Sequence, residues 1–121
     1  MIDATYDVHE LHGNHIQIGQ LTFIIEVVPS LRLDDGTSIL GAARLTNQRI
    51  YLNANLPPQL VLPIILHEVH HMLCEIGGIE STESAANVFG YQVASLLADN
   101  QWLAGLVTPR HMPAVNVSPV S

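Results

Sequence analysis

The chain has 121 residues, 48% of them hydrophobic, with four Lys and Arg against eleven Asp and Glu, a formal net charge of −7 and no lysine. This size and apolar content fit one globular domain with a modest core. The acidic balance argues against a phosphate-backbone partner and against an anionic membrane surface, so neither nucleic acid nor membrane is expected as a ligand. The single cysteine, Cys74, cannot close an internal disulfide, which suits a reducing compartment. With no basic, apolar leader and no apolar run of 18 residues, the expectation is a soluble, cytoplasmic protein.

In chain order, His9, His12 and His15 come first, in the segment HELHGNH. Gly13 and Asn14 mark a turn, and no single helix face carries all three imidazoles, so they read as solvated residues and not as a metal site. Four short stretches rich in β-branched or aliphatic residues follow: Ile16 to Ile18, Leu21 to Val28, Ile39 to Leu45 and Arg49 to Leu52. Turn formers separate them, which predicts a small antiparallel sheet. Pro57 and Pro58 make a loop entrance. Pro63 fits only a first helical turn, so a helix either begins near it or starts at Pro58 and kinks there. From Leu62 to Ile76 the pattern is helical, with Ile65, Val69, Met72, Leu73 and Ile76 as the apolar stripe and Gly77 and Gly78 as the stop. A second helix opens after Ser81 as cap and buries Ala85, Phe89, Val93, Leu96 and Leu97. The run from Thr108 to Ser121, with three prolines and His111, reads as an extended tail after a domain spanning 1–107.

The chemistry lies in HEVHH, residues 67–71. Positions four apart share one helix face, so His67 and His71 can grip one metal ion, with Glu68 beside the ion and able to take a proton from activated water. The alternative is a pair of histidines satisfied by hydrogen bonds inside the core. His70 points about 100° away from His71 and reads as supporting or solvated. A hydrolytic zinc needs three protein ligands and an open fourth position. Glu75 lies eight residues after His67, about 12 Å along the axis, too far to share an ion bound at about 2 Å. Cys74 reads as a small buried hydrophobe. Glu80 and Glu83 remain, and Glu83 is favoured because Asn87, four residues on, stands on the same face where it can fix the tautomer of a ligand histidine. The plain alternative for Glu83 is a carboxylate placed to suit the helix dipole.

HEVHH followed by ESAANVFG resembles the ImmA/IrrE family of metallo-endopeptidases, and more broadly the gluzincins and the very small minigluzincins. The two helical motifs carry the resemblance, which spans about residues 36–98. It implies a minimal zincin-like α+β domain, a small antiparallel sheet followed by two packed helices. It also implies His67, His71 and Glu83 as zinc ligands, Glu68 as general base and Asn87 as their supporting partner. An edge strand beside the metal would receive an extended substrate, and Ile39 to Leu45 is the candidate. Gly90 departs from the alanine usual in the family, and no basic helix-turn-helix segment is present.

The expected function is a zinc-dependent endopeptidase holding one Zn²⁺ per chain. It would act on a protein or peptide substrate, with a regulator as a further partner. Tyr91, two turns after Glu83, is a candidate to assist the oxyanion, or else a core residue with its hydroxyl at the surface. Two other classes compete with this reading. One is a catalytically silent zinc-binding interaction module. The other is a structural or assembly protein whose helix pair holds no metal.

Overall fold

A computed structural model describes residues 7–107 and shows an α+β fold, a four-stranded sheet with two packed helices. The expected tail and His111 lie outside the described residues. A short 3-10 helix at Val8–Leu11 leads into β1 (His15–Ile18), β2 (Leu21–Val28), β3 (Gly41–Arg44) and β4 (Arg49–Asn53). Helices α1 (Pro58–Ile76), α2 (Glu83–Asp99) and the one-turn α3 (Gln101–Ala104) follow.

The four strands stand where the sequence placed them, but the sheet is mixed, not antiparallel. Its order is β1-β2-β4-β3, with β2 and β4 parallel and the other two pairs antiparallel. β4 inserts between β2 and β3, and the long connection from residue 29 to 48 allows the crossover that a parallel pair requires. The third strand is also shorter than Ile39 to Leu45. Ahead of it, the Ile39 amide donates to Leu31 O, and the Leu40 carbonyl accepts from Asn53 N. Asn53, 5% exposed, is satisfied there by donating Nδ2 to Ile39 O and accepting from Asn55 N.

Alternation sends Phe23 and Ile25 of β2, Ile50 and Leu52 of β4 and Ile18 of β1 to one face, where they are buried with Val61, Ile64 and Met72 of α1. The same alternation turns Glu26, Tyr51, Ala42, Arg49 and Arg44 to the other face, in register across three strands. α1 starts at Pro58 and carries Pro63 inside it, so the earlier of the two expected starts is the one observed. It ends as expected at Gly77 and Gly78, whose amides return to Leu73 O and Glu75 O.

The buried stripes differ from those expected. On α1 the buried side chains are Val61, Pro63, Ile64, His67, Glu68 and Met72, while Ile65 and Val69 are half-buried and Leu73 and Ile76 are 45% and 40% exposed. On α2 the buried residues are Ala86, Gly90 and Ala94, not the larger Ala85, Phe89, Val93, Leu96 and Leu97 stripe, and Leu96 is 50% exposed. Small residues at i, i+4 and i+8 let two helices approach closely, a demand that a reading by hydrophobicity overlooks. A Cβ on Gly90 would stand 2.4 Å from Pro63 O and 3.2 Å from His67 Cβ. Gly90 is therefore the contact on which the helix crossing closes. Because the clash is with backbone, Gly90→Ala should cost about 1–3 kcal/mol despite its better helix propensity. Urea unfolding of the variant measures this, and an unchanged or higher midpoint would contradict it.

Candidate metal centre

The crossing of α1 and α2 brings together the residues that the sequence singled out. His67 and His71 project from successive turns of α1, and their Nε2 atoms lie 3.2 Å apart. Glu83, the first residue of α2, reaches them from the other helix. Its Oε2 is 3.2 Å from His67 Nε2 and its Oε1 is 2.9 Å from His71 Nε2. Among the described residues, His67, His71 and Glu83 are the one group of three or more such side chains able to hold a metal ion. His67 is buried, His71 half-buried and the Glu83 side chain 76% exposed, so the group opens to solvent on the α2 side.

The local sequence explains the placement. Thr82, not the expected Ser81, caps α2, its hydroxyl accepting from Ala85 N at 3.1 Å. That leaves Ser81 free for a role the sequence did not suggest. Its Oγ lies 2.7 Å from His71 Nδ1. When Nδ1–H donates to this hydroxyl, Nε2 keeps its lone pair directed at the cluster, which is the tautomer a metal ligand needs. The only sequence signal would have been a serine just outside the second helix, within reach of the first.

Asn87 approaches His67 closely enough to favour its protonated form. His67 Nδ1 nonetheless remains buried without a hydrogen-bond partner of normal geometry. Tyr91, 39% exposed, makes no hydrogen bond to the group. Glu75 and Glu80 are exposed and outside the cluster. Cys74 is partly buried with its Sγ 3.9 Å from the His70 ring, and His70 packs against Phe89 at a ring separation of 5.1 Å. Near the N-terminus, His12 Nδ1 accepts from Val27 N, and His9, His12 and His15 are exposed and form no metal group.

Glu68 is 7% exposed, with Oε2 3.8 Å from His67 Nε2. Burial, reinforced by the nearby Glu83 charge, pushes its carboxyl up to about 7. Burial also holds the His67 imidazole below its usual value, against the opposing pull of Glu83. The other wall beside Glu68 is β3. A Cβ on Gly41 would come within 3.3 Å of Glu68 Oε2 and 2.7 Å of Ile64 Cγ2. Glycine is thus what lets the edge strand lie against the carboxylate, and a glycine inside a predicted strand was the available sign of that approach.

No protein-family model, no curated protein and no solved structure matches the chain. Among the described residues no helix is long and apolar enough to cross a membrane.

Two outcomes are expected of the metal-free protein and its metal titration. Between its ordinary value of 4.5 and about 7, the native Glu68 holds a proton that the unfolded chain has released, so its contribution to stability falls as pH rises through that window. Glu68→Gln should therefore match the parent near pH 4.5 and exceed it by about 1–3 kcal/mol at pH 8, in urea unfolding with chelator present. A difference independent of pH would contradict the burial argument. Ser81→Ala should weaken divalent metal binding by about tenfold to a hundredfold, read by competition with a chromophoric chelator. Equal affinity would remove Ser81 from the site.

Proposed function

We propose that the protein is a small zinc-dependent endopeptidase, with His67, His71 and Glu83 holding one Zn²⁺ per chain and Glu68 as general base. The observation that carries this reading is the convergence of two imidazole nitrogens 3.2 Å apart and a carboxylate that sets one oxygen 3.2 Å from His67 Nε2 and the other 2.9 Å from His71 Nε2, beside a buried glutamate. Ligands bound tetrahedrally at about 2.0–2.1 Å stand about 3.3 Å apart, and the 3.2 Å between the two imidazole nitrogens, with a carboxylate oxygen within 3.2 Å of each, supports zinc as the ion. Two nitrogens and one oxygen suit zinc, and three protein donors with an open side leave room for water and substrate. The resemblance of HEVHH and ESAANVFG to the ImmA/IrrE endopeptidases points the same way.

A zinc ion held there would supply Lewis acidity, lowering the pKa of water to about 7 and polarising a carbonyl. The chain's own residues do the rest. Glu68, with a carboxyl near neutrality, accepts the proton of the attacking water and returns it to the leaving amine. Ser81 holds the His71 ring in its ligand tautomer. The buried face of α1 screens the Glu68 side from bulk water, while the exposed flank of Glu83 leaves the approach open.

The test is metal content by elemental mass spectrometry, followed by peptide hydrolysis. About one zinc per chain is expected, lost in both His67→Ala and Glu83→Ala. Glu68→Gln should retain the zinc while losing hydrolysis by a factor of about 10² to 10⁴. Full zinc binding with no turnover by the parent on any peptide would favour a catalytically silent zinc module. No stoichiometric metal after zinc is supplied would sink the reading altogether.

A further inference from the structure

Among the described residues β3 is an edge strand, paired only with β4. The Asn53 amide donates to Leu40 O, and alternation along an antiparallel ladder then turns the main-chain groups of Gly41 and Ala43 away from β4. None of these outward groups has a backbone partner among the described residues. Gly41 is also the residue that lies against Glu68, so the open edge runs past the candidate catalytic carboxylate. A chain added at this edge projects alternate side chains to opposite faces of the sheet.

The face away from α1 carries an unusual charge. All three arginines among the described residues, Arg32, Arg44 and Arg49, lie on or around it, in a chain of net charge −7. There the segment from Val28 to Ile39 and the outer side of β3 and β4 enclose a groove of about 500 Å³ lined by Arg32, Arg44, Asn47 and Tyr51, with Glu26 and Asp34. Most of these groups are engaged. Arg32 donates to Ser30 Oγ and Gly36 O, and Arg49 lies 3.8 Å from Glu26. Arg44 is exposed, and its side chain has neither a hydrogen bond nor an ion pair among the described residues. Two residues before it on the same face, Ala42 pairs with Tyr51, whose hydroxyl accepts from Asn47 Nδ2 at 2.8 Å and so keeps its own hydrogen to donate. An unpaired guanidinium and a phenolic O–H thus line one groove, and a carboxylate complements both.

We propose that the open edge of β3 binds an extended peptide carrying an acidic side chain opposite Arg44, with Arg44 and Tyr51 as its specificity-determining residues. The inference rests on the peptide-hydrolysing reading of the metal centre and names its substrate class. Gly41 and Arg44 are three residues apart, about 10 Å along a strand. The acidic residue therefore sits about three positions from the bond brought to Glu68.

A randomised peptide library tests this in two arms. In the first, zinc-loaded parent protein cleaves the library and the products are sequenced by mass spectrometry. Asp or Glu should be enriched about threefold to fivefold at a position about three residues from the cut, and Arg44→Glu should replace it with Lys or Arg. In the second, zinc-loaded Glu68→Gln protein retains peptides from the same library without cutting them, beside the doubly substituted Glu68→Gln, Arg44→Glu chain. Acidic peptides should be retained by the first and basic ones by the second, with circular dichroism checking that both are folded. Cleavage without an acidic preference, or a preference that Arg44→Glu leaves unchanged, would overturn the proposal. Absence of any cleavage would count against the peptidase reading alone, and the retention arm would then decide. Acidic enrichment that reverses with Arg44 upholds the binding edge, and retention indifferent to the substitution overturns it.

Discussion

The close crossing of α1 and α2 is the constraint on which the rest depends. Gly90 lies against the Pro63 carbonyl and the His67 backbone, where any side chain would collide. Only at that separation can Glu83, the first residue of the second helix, set one carboxylate oxygen 3.2 Å from His67 Nε2 and the other 2.9 Å from His71 Nε2. Apolar burial between the helices is small, because α2 contributes Ala86, Gly90 and Ala94 as its buried residues. The pair is held by fit more than by area, and a close fit is what sub-ångström placement of ligand atoms requires.

The sheet serves the same centre from the other side. Packing of Phe23, Ile25, Ile50 and Leu52 beneath α1 fixes the helix over the sheet, and Gly41 allows β3 to approach until it walls off Glu68. A carboxylate so enclosed is costly when charged, and this is the reason its pKa rises toward neutrality. The destabilisation and the raised pKa have one cause. The carboxylate is kept out of water, and Glu83 adds its own negative charge nearby.

Much of the site was legible in the sequence because its spacing is set by a single helix. His67, Glu68 and His71 needed only the 3.6-residue turn to be placed, and Glu83 was favoured over Glu80 by its place in the first turn of a second periodic run with Asn87 four residues on. The expected cap was nonetheless one residue off. Ser81 and Thr82 are both hydroxyl residues ahead of a helix, and which one caps and which one turns to His71 depends on the path of the loop relative to the other helix. The helix faces were misjudged for a related reason. Hydrophobicity favours Phe89 and Leu96 as core, whereas a tight crossing selects the smallest residues, and the tightness is not written in either helix alone.

The sequence by itself determined the α+β composition, the location of the four strands and two long helices, and which side chains could gather into a metal-holding group. These are local properties, governed by residue periodicity, turn formers and the fixed pitch of a helix. Only the tertiary structure decided that β4 enters between β2 and β3 and runs parallel to β2, that Ser81 orients His71, and that β3 lies against Glu68 with Arg44 on its outer face. Each of these depends on contacts between segments distant in the chain, where strand order and helix separation are set by packing that no local pattern encodes.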